Sequence, residues 1–220
     1  MALKLIIFDC DGVLVDSEVI ACRIEAEELA RNGFPYGEEE IARRFCGIPV
    51  PAMYAMMEAE TGLPVPDDLR GLIRERVREA IGTELAAIPG VHEALAGVRQ
   101  PVCVASSSSL DYLARVLGQV GLHQRFHPHV FSAQQVAQGK PAPDLFLFAA
   151  SRMEVSPSEC LVIEDSVAGV QAARAAGMRA FGFTGGGHCR SGHAARLSAE
   201  GAEQIQAEMA GLSALLTDQL

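Results

Sequence analysis

No apolar run in this chain approaches the length of a bilayer-spanning helix, no two cysteines stand in CxxC spacing, and cationic side chains are in the minority. Each shortage removes a class of function. Without a span of about 20 apolar residues a helical membrane protein is excluded, and the expectation is a soluble protein with no membrane partner. Six cysteines (Cys10, Cys22, Cys46, Cys103, Cys160, Cys189) scattered through 220 residues match neither a disulfide framework nor a thiolate metal site, and fit reduced thiols in a cytoplasm. With 18 Lys and Arg against 28 Asp and Glu, the formal charge is -10. Broad nucleic-acid binding needs a basic face to displace counterions from phosphates, so no nucleic-acid partner is expected.

Lysine is the scarcest charged residue. Only Lys4 and Lys140 are lysines, leaving sixteen of the 18 cations as arginine. An ammonium at Lys140, between Gly139 and Pro141, is therefore set apart from ordinary surface charge and is a candidate to hold an anion.

What the chain does have is a globular balance of 49% apolar and 21% charged residues, enough for one domain carrying a large insertion. The opening MALKLIIFDCDG runs into carboxylates where a secretory leader would carry small residues, and reads as a first core strand over Leu3 to Phe8. Further strands are predicted at Pro101 to Ala105, His129 to Phe131, Leu161 to Ile163 and Arg179 to Phe183. Helical stretches lie at Leu110 to Gly118, Pro143 to Arg152 and Ser166 to Ala176, the last with Ser166 as N-cap and Gly177 at its end. This alternation predicts an α/β fold: a doubly wound parallel sheet, Rossmann-like, whose ligands bind beyond the carboxyl ends of the strands. Ser17 to Ala87 breaks the alternation with helical periodicity alone. The domain reading is a core of 1–16 and 88–220 with an all-α cap at 17–87, hinged near Val15-Asp16 and Ala87 to Pro89.

Polar residues follow the predicted strands. Asp9-Cys10-Asp11-Gly12 places two carboxylates at the end of the first, one able to attack phosphorus and the other to manage the leaving group's proton. On its own the pair also reads as an acidic turn. Glu164-Asp165 follows another strand, and adjacent acids there repel unless a cation is bound; magnesium, which takes hard oxygen ligands, suits them. Asp165 can equally cap the helix after it. Ser106 opens a run of four serines whose hydroxyls and N–H groups can hold a phosphate oxygen, without the sequence choosing among them.

Taken together, DCDGV at Asp9 to Val13, Ser106, Lys140 in KPAPD, and EDS at Glu164 to Ser166 resemble the haloacid dehalogenase superfamily over nearly the whole chain. The LVDSE run and the helical insertion look like the branch with an α-helical cap, which holds sugar-phosphate and phosphoglycolate phosphatases and β-phosphoglucomutase. The resemblance implies Asp9 as nucleophile and Asp11 as general acid and base. It also implies Ser106 and Lys140, with Ser107, on the phosphoryl oxygens, and magnesium held by Asp9, the Asp11 carbonyl and Asp165 with Glu164 in support. Gly47 and Arg44 are the cap's candidate substrate contacts, although Arg23, Arg43 and Arg44 read first as a solvated helix face.

Within that family the second acid disfavours dehalogenation, and the absence of lysine from the insertion closes the Schiff-base route of phosphonate hydrolases. β-Phosphoglucomutase carries a cap histidine where Ala21 stands and a cap arginine near Val50, so water is the expected acceptor. The expected substrate is a small phosphomonoester, a sugar or sugar-acid phosphate; the pattern DCDGVLVDSEVI with Phe45-Cys46-Gly47 looks closest to bacterial 6-phosphogluconate or hexose-phosphate phosphatases. A phosphomutase and a non-catalytic module that binds a phosphate ligand are the alternatives. The assembly expected is a monomer or weak homo-oligomer. Three other features take plain readings. Met53, Met56 and Met57 pack the cap, Cys10 points into the core, and His188, Cys189 and His193 match no strong zinc spacing.

Overall fold

Successive residues of a strand face opposite sides, so a strand apolar at every position must be covered on both. β1 (Leu5–Phe8) is buried throughout. Ile6 and Phe8 enter one core cluster and Leu5 and Ile7 the other. The computed structural model describes residues 3–48 and 50–212. After β1 come α1 (Ser17–Arg31), α2 (Glu38–Arg44), α3 (Val50–Thr61) and α4 (Asp67–Glu84), then α5 (Val91–Gly97) and β2 (Val102–Ser106). They are followed by α6 (Leu110–Gln119), α7 (His123–Phe126), β3 (Val130–Ser132), α8 (Asp144–Arg152) and β4 (Cys160–Glu164). The last are α9 (Val167–Ala175), β5 (Arg179–Phe183), α10 (His193–Ala199) and β6 (Gln204–Gln206).

The six strands are parallel in the order β3-β2-β1-β4-β5-β6. The chain winds outward from β1 through β3, then returns to the other side of β1 to start β4. Residues of α5, α6 and α7 pack on one face of the sheet and residues of α8, α9 and α10 on the other. This is the doubly wound α/β core with a helical insertion that the strand and helix alternation predicts. Its switch point lies between β1 and β4, paired in register from Leu5↔Cys160 to Phe8↔Ile163. A crevice opens there at the carboxyl ends, with Asp9 and Glu164-Asp165 as its lips.

The cap helices carry a core of their own, built from residues such as Leu29, Phe34, Ile41, Met53, Met57 and Ile73. Met56 departs from the expected packing and is 40% exposed. Tyr54 is buried beside Met53 and Met57, which turns the helix's inner face away from Met56. The chain leaves the sheet and returns to it at one place. Asp16 N–H donates to the Ala86 carbonyl at 3.0 Å and Ile88 N–H to the Leu14 carbonyl at 3.0 Å. Val15 and Ala87 thereby form an antiparallel bridge.

The five predicted strands keep within one residue of their expected limits, except that β1 begins at Leu5, two residues after Leu3. β6 and the short helices α5, α7 and α10 go beyond the sequence expectation. Gln-Ile-Gln is too short and too polar to carry a strand period, and it pairs only as an edge on β5. Cys10 is fully buried in the core, and all six cysteines are free thiols. Among the described residues no helix is long and apolar enough to cross a membrane.

Truncating Leu161, fully buried in β4, is expected to cost about 2–5 kcal/mol through lost burial and the cavity left behind. Urea unfolding of Leu161→Ala checks it, with metal and substrate constants expected to stay within about twofold at temperatures where the variant is folded.

Candidate active site

Asp9 continues β1 by one residue, its N–H still bonded to the Ile163 carbonyl at 3.0 Å. The carboxylate is thereby fixed at the sheet's edge and buried. Lys140, on the segment between β3 and α8, brings its Nζ to 2.6 Å from Asp9 Oδ1 and 2.6 Å from Glu164 Oε1. Burial works against the ammonium, but the two carboxylates outweigh it and hold Lys140 above the ordinary lysine range. Phe146 lies beneath it, 5.0 Å from Nζ to the ring centre.

Glu164 is fully buried and both of its oxygens are occupied. Oε1 takes Lys140, while Oε2 accepts from the Ser166 N–H at 2.8 Å and the Ser166 hydroxyl at 2.9 Å. Ser166 also caps α9 by accepting from Gly169 N–H at 3.0 Å. Gly169 is the residue that leaves Glu164 its room, since a Cβ there would fall 1.8 Å from Oε1. Asp165, also buried, takes His188 Nε2 on its Oδ2 at 3.0 Å and His193 Nε2 on its carbonyl at 2.5 Å. Burial lowers the pKa of both imidazoles, and it raises those of Asp9 and Asp165, with Lys140 opposing the rise in each.

Asp11 sits differently, at a half-buried position where three hydroxyls converge. Ser17 Oγ donates to Oδ1 at 2.6 Å, Tyr112 Oη to Oδ1 at 2.8 Å and Ser108 Oγ to Oδ2 at 2.8 Å. Gly12 makes the turn after it at φ +76°, and a Cβ there would lie 1.9 Å from Asp165 Oδ2. Ser106, at the end of β2, is buried and accepts the Ser108 N–H at 3.1 Å, so the serine run bends into a loop over the crevice.

The structure thus brings Asp9, Asp11, Ser106, Ser107, Lys140, Glu164, Asp165 and Gly47 to one cavity of about 850 Å³. Gly47, at φ +79°, carries the cap loop against Ser166. Arg44 is not brought there. Its guanidinium bridges Glu40 and Glu60 and stacks on Phe45, 4.8 Å from the ring centre. Arg23 is likewise spent on Glu27 and Glu84. Tyr112 and Gly169 belong to the site's structure with no sequence reading attached to them, while Ser17, Ser108, His188 and His193, met in the LVDSE run, the serine run and the histidine segment, take contacts there that those readings did not specify. The local signal nearest to them was Ser166 as the expected N-cap of α9, whose hydroxyl accepts the Gly169 N–H.

The carboxylate oxygens of Asp9, Glu164 and Asp165 lie within 4.8 Å of one another, and among the described residues Lys140 is the one lysine or arginine paired with any of them. Hard oxygen donors and uncompensated negative charge fit a magnesium ion. Glu164 already accepts from Lys140 and Ser166, while Asp9 and Asp165 each keep an oxygen with no hydrogen bond from another described residue, so these two offer the most open ligand atoms of the three.

On the cap side, α1 lines the cavity with Ser17, Glu18, Ala21, Cys22 and Glu25, one helical face. Burial, with repulsion from Asp11, raises Glu18 to about 7, and burial, with repulsion from Glu18, raises Glu25 to about 8.

Residues 3–177 match the family model of the haloacid dehalogenase-like hydrolases. The chain is 31% identical to the 6-phosphogluconate phosphatase of Escherichia coli K12 over 187 residues, 84% of this chain and 85% of that one. A haloacid dehalogenase-like protein of unknown function from Agrobacterium tumefaciens C58 shares 40% identity and superposes at a TM-score of 0.94, covering 98% of each chain. A hydrolase from Deinococcus radiodurans R1, solved with phosphate and sodium bound, shares 33% identity at a TM-score of 0.86, over 99% of this chain and 96% of that one.

Gly169→Ala is expected to displace Glu164 and with it Lys140, lowering kcat/KM by at least about a hundredfold, the scale of losing a preorganised charge; steady-state kinetics beside a circular dichroism spectrum checks this. A carboxyl whose folded pKa is raised contributes stability below its unfolded pKa and loses it as pH rises through the folded value. Thermal melts are therefore expected to fall between about pH 5 and about 8, and Glu25→Gln to flatten that fall and raise Tm at the alkaline end.

Proposed function

The chain belongs to the haloacid dehalogenase-like hydrolases and is a phosphoric monoester hydrolase. On that footing we propose that it takes the phosphoryl group of a small sugar or sugar-acid phosphate onto Asp9 and passes it to water. The observation that carries this reading is the pairing at one crevice of a buried carboxylate clamped by Lys140 with a second carboxylate two residues on, gripped by three hydroxyls.

The Lys140 contact to Oδ1 fixes the carboxylate of Asp9, leaving Oδ2 to attack phosphorus. As the Asp9–phosphorus bond forms, the phosphorus–ester oxygen bond breaks, and Asp11 gives its proton to the departing alkoxide. Asp11, now a carboxylate, takes a proton from water, whose oxygen attacks the phosphorus and frees Asp9. The balance is ester plus water to alcohol plus phosphate. Ser17, Ser108 and Tyr112 hold Asp11 in position through both halves. Lys140 and the Ser106–Ser108 loop supply donors to the phosphoryl oxygens. Asp9 and Asp165 would hold magnesium, with Glu164 as buttress of Lys140 and Ser166. The ion, when bound, neutralises charge between carboxylate and phosphate.

Water as acceptor is supported by the cavity wall. Ala21 and Val50, where the resemblance to β-phosphoglucomutase calls for a histidine and an arginine, both line it with apolar side chains. The sugar class of substrate rests on the relative from Escherichia coli, and the phosphate bound in the Deinococcus structure is consistent with an oxyanion site. We place the core at 1–16 and 88–220 and the cap at 17–87, a division supported by the separate apolar cluster of the cap and the Val15–Ala87 bridge.

With p-nitrophenyl phosphate and magnesium, Asp9→Asn is expected to abolish phosphate release and Asp11→Asn to lower kcat by about 10²- to 10⁴-fold. Activity retained by Asp9→Asn would remove it as nucleophile. A panel of hexose phosphates, phosphogluconate and phosphoglycolate then ranks the substrates, and chelator should silence every one.

A further inference from the structure

The segment after β5, Gly185 to His193, belongs to no step of the reaction above, yet it closes on Asp165 from two directions. Building on the assignment of Asp165 to the metal end of the site, we infer that His188 and His193 are positioning residues that hold Asp165 as a metal ligand. We further infer that Arg196 ties this hold to the cap.

Hydrogen-bond accounting fixes the state of each ring. The Arg196 guanidinium carries donors only, and its Nη2 lies 2.9 Å from His193 Nδ1. That nitrogen must therefore be bare, and the ring's proton sits on Nε2, facing the Asp165 carbonyl at 2.5 Å. His188 Nδ1 is buried without a partner among the described residues. A proton there would be an unsatisfied buried donor, costing about 1–3 kcal/mol. It therefore resides on Nε2, which faces Asp165 Oδ2 at 3.0 Å, with Cys189 Sγ also near it at 3.4 Å. Two neutral rings thus donate to the side chain and the main chain of one residue. They orient Asp165 without supplying positive charge, so its attraction for a cation is undiminished.

The glycines around these rings are the space they need. A Cβ on Gly12 would approach His188 Cε1 to 2.8 Å, and one on Gly186 would come within 2.8 Å of both Cε1 and Nδ1. Gly187 N–H is fastened to Asp16 Oδ1 at 2.9 Å, which joins this loop to the start of the cap. The longer reach is through Arg196, whose Nη1 donates to the Arg43 carbonyl at 2.9 Å. Arg43 lies in the last turn of α2, four residues before Gly47, where a Cβ would meet that of Ser166 at 3.1 Å. Cap loop and Asp165 therefore share one hydrogen-bonded chain, Asp165–His193–Arg196–Arg43, besides the direct contact at Ser166.

The test measures magnesium binding by calorimetry, without substrate, in the wild type and in His188→Leu, His188→Gln, His193→Leu and His193→Gln, with thermal melts taken without magnesium. A glutamine amide can replace the Nε2–H donor. The leucine variants are expected to bind magnesium about 10- to 100-fold more weakly, the range for outer partners of metal ligands, and the glutamine variants to recover most of that. Unchanged affinity in the leucine variants, or glutamine variants as weak as leucine with a matching fall in Tm, would overturn the positioning role. No magnesium binding by the wild type would instead remove the metal assignment, and this role with it. For the tie to the cap, hydrogen exchange at Phe45 to Ile48 is compared with and without magnesium. Slowing by magnesium in the wild type and its loss in Arg196→Met are expected; equal slowing in both would break the link.

Discussion

Everything at this site is arranged around one ammonium. Four carboxylates, Asp9, Asp11, Glu164 and Asp165, gather where β1 and β4 end, and Lys140 is bound between two of them at 2.6 Å each. Buried like charges cannot stay ionised together without a counter-charge. The lysine can cancel one, hydroxyls stabilise a second at Asp11 by donated hydrogen bonds, and what is left takes up either a proton or a cation. The fit to a metal is therefore legible in the charge count as well as in the family.

The same count explains how the residues divide their labour. Glu164 is fully committed to Lys140 and Ser166, and its role is to fix the lysine that in turn fixes Asp9. Asp9 and Asp165 retain open oxygens. Asp11, outside the lysine's grip and held only by hydroxyls, is the carboxylate to which we assign the proton exchange. Four chemically identical groups acquire different tasks from what surrounds them, and those surroundings come from β1, β4, the serine loop and α6.

Much of this was legible in the sequence because a doubly wound sheet puts its chemistry at strand ends. Apolar runs ending in Asp9, Ser106 and Glu164-Asp165 announce both the strands and the site, and the scarcity of lysine marks Lys140. What was not legible are contacts between distant positions. Tyr112 reaches Asp11 across 101 residues and Ser108 across 97; Tyr112 carries no local pattern, and the serine run marks Ser108 without pointing it at Asp11. Gly169 looks like any small helical residue until Glu164 is seen beneath it. Arg44 shows the opposite case: it stands four residues after Glu40, so the sequence held a helical ion pair that competed with its reading as a substrate contact, and the ion pair is what forms. β6 was invisible because an edge strand of three residues needs only a neighbour, not a pattern.

The bridge between Val15 and Ala87 has a further meaning for the lineage of such a chain. To the sheet, two backbone segments bonded to each other as these are differ little from the arms of a hairpin. What is strung between them can grow, shrink or be exchanged while Asp9 stays where β1 puts it. On the division proposed above, most of the reacting groups and most of the insertion are thus written in separate stretches of the gene, with Ser17 as a point where they meet. Apart from Ser17, which grips Asp11, and the Arg43-to-Gly47 turn that meets Ser166 and Arg196, the stretch up to Ala86 has room to diversify over generations without moving Asp9.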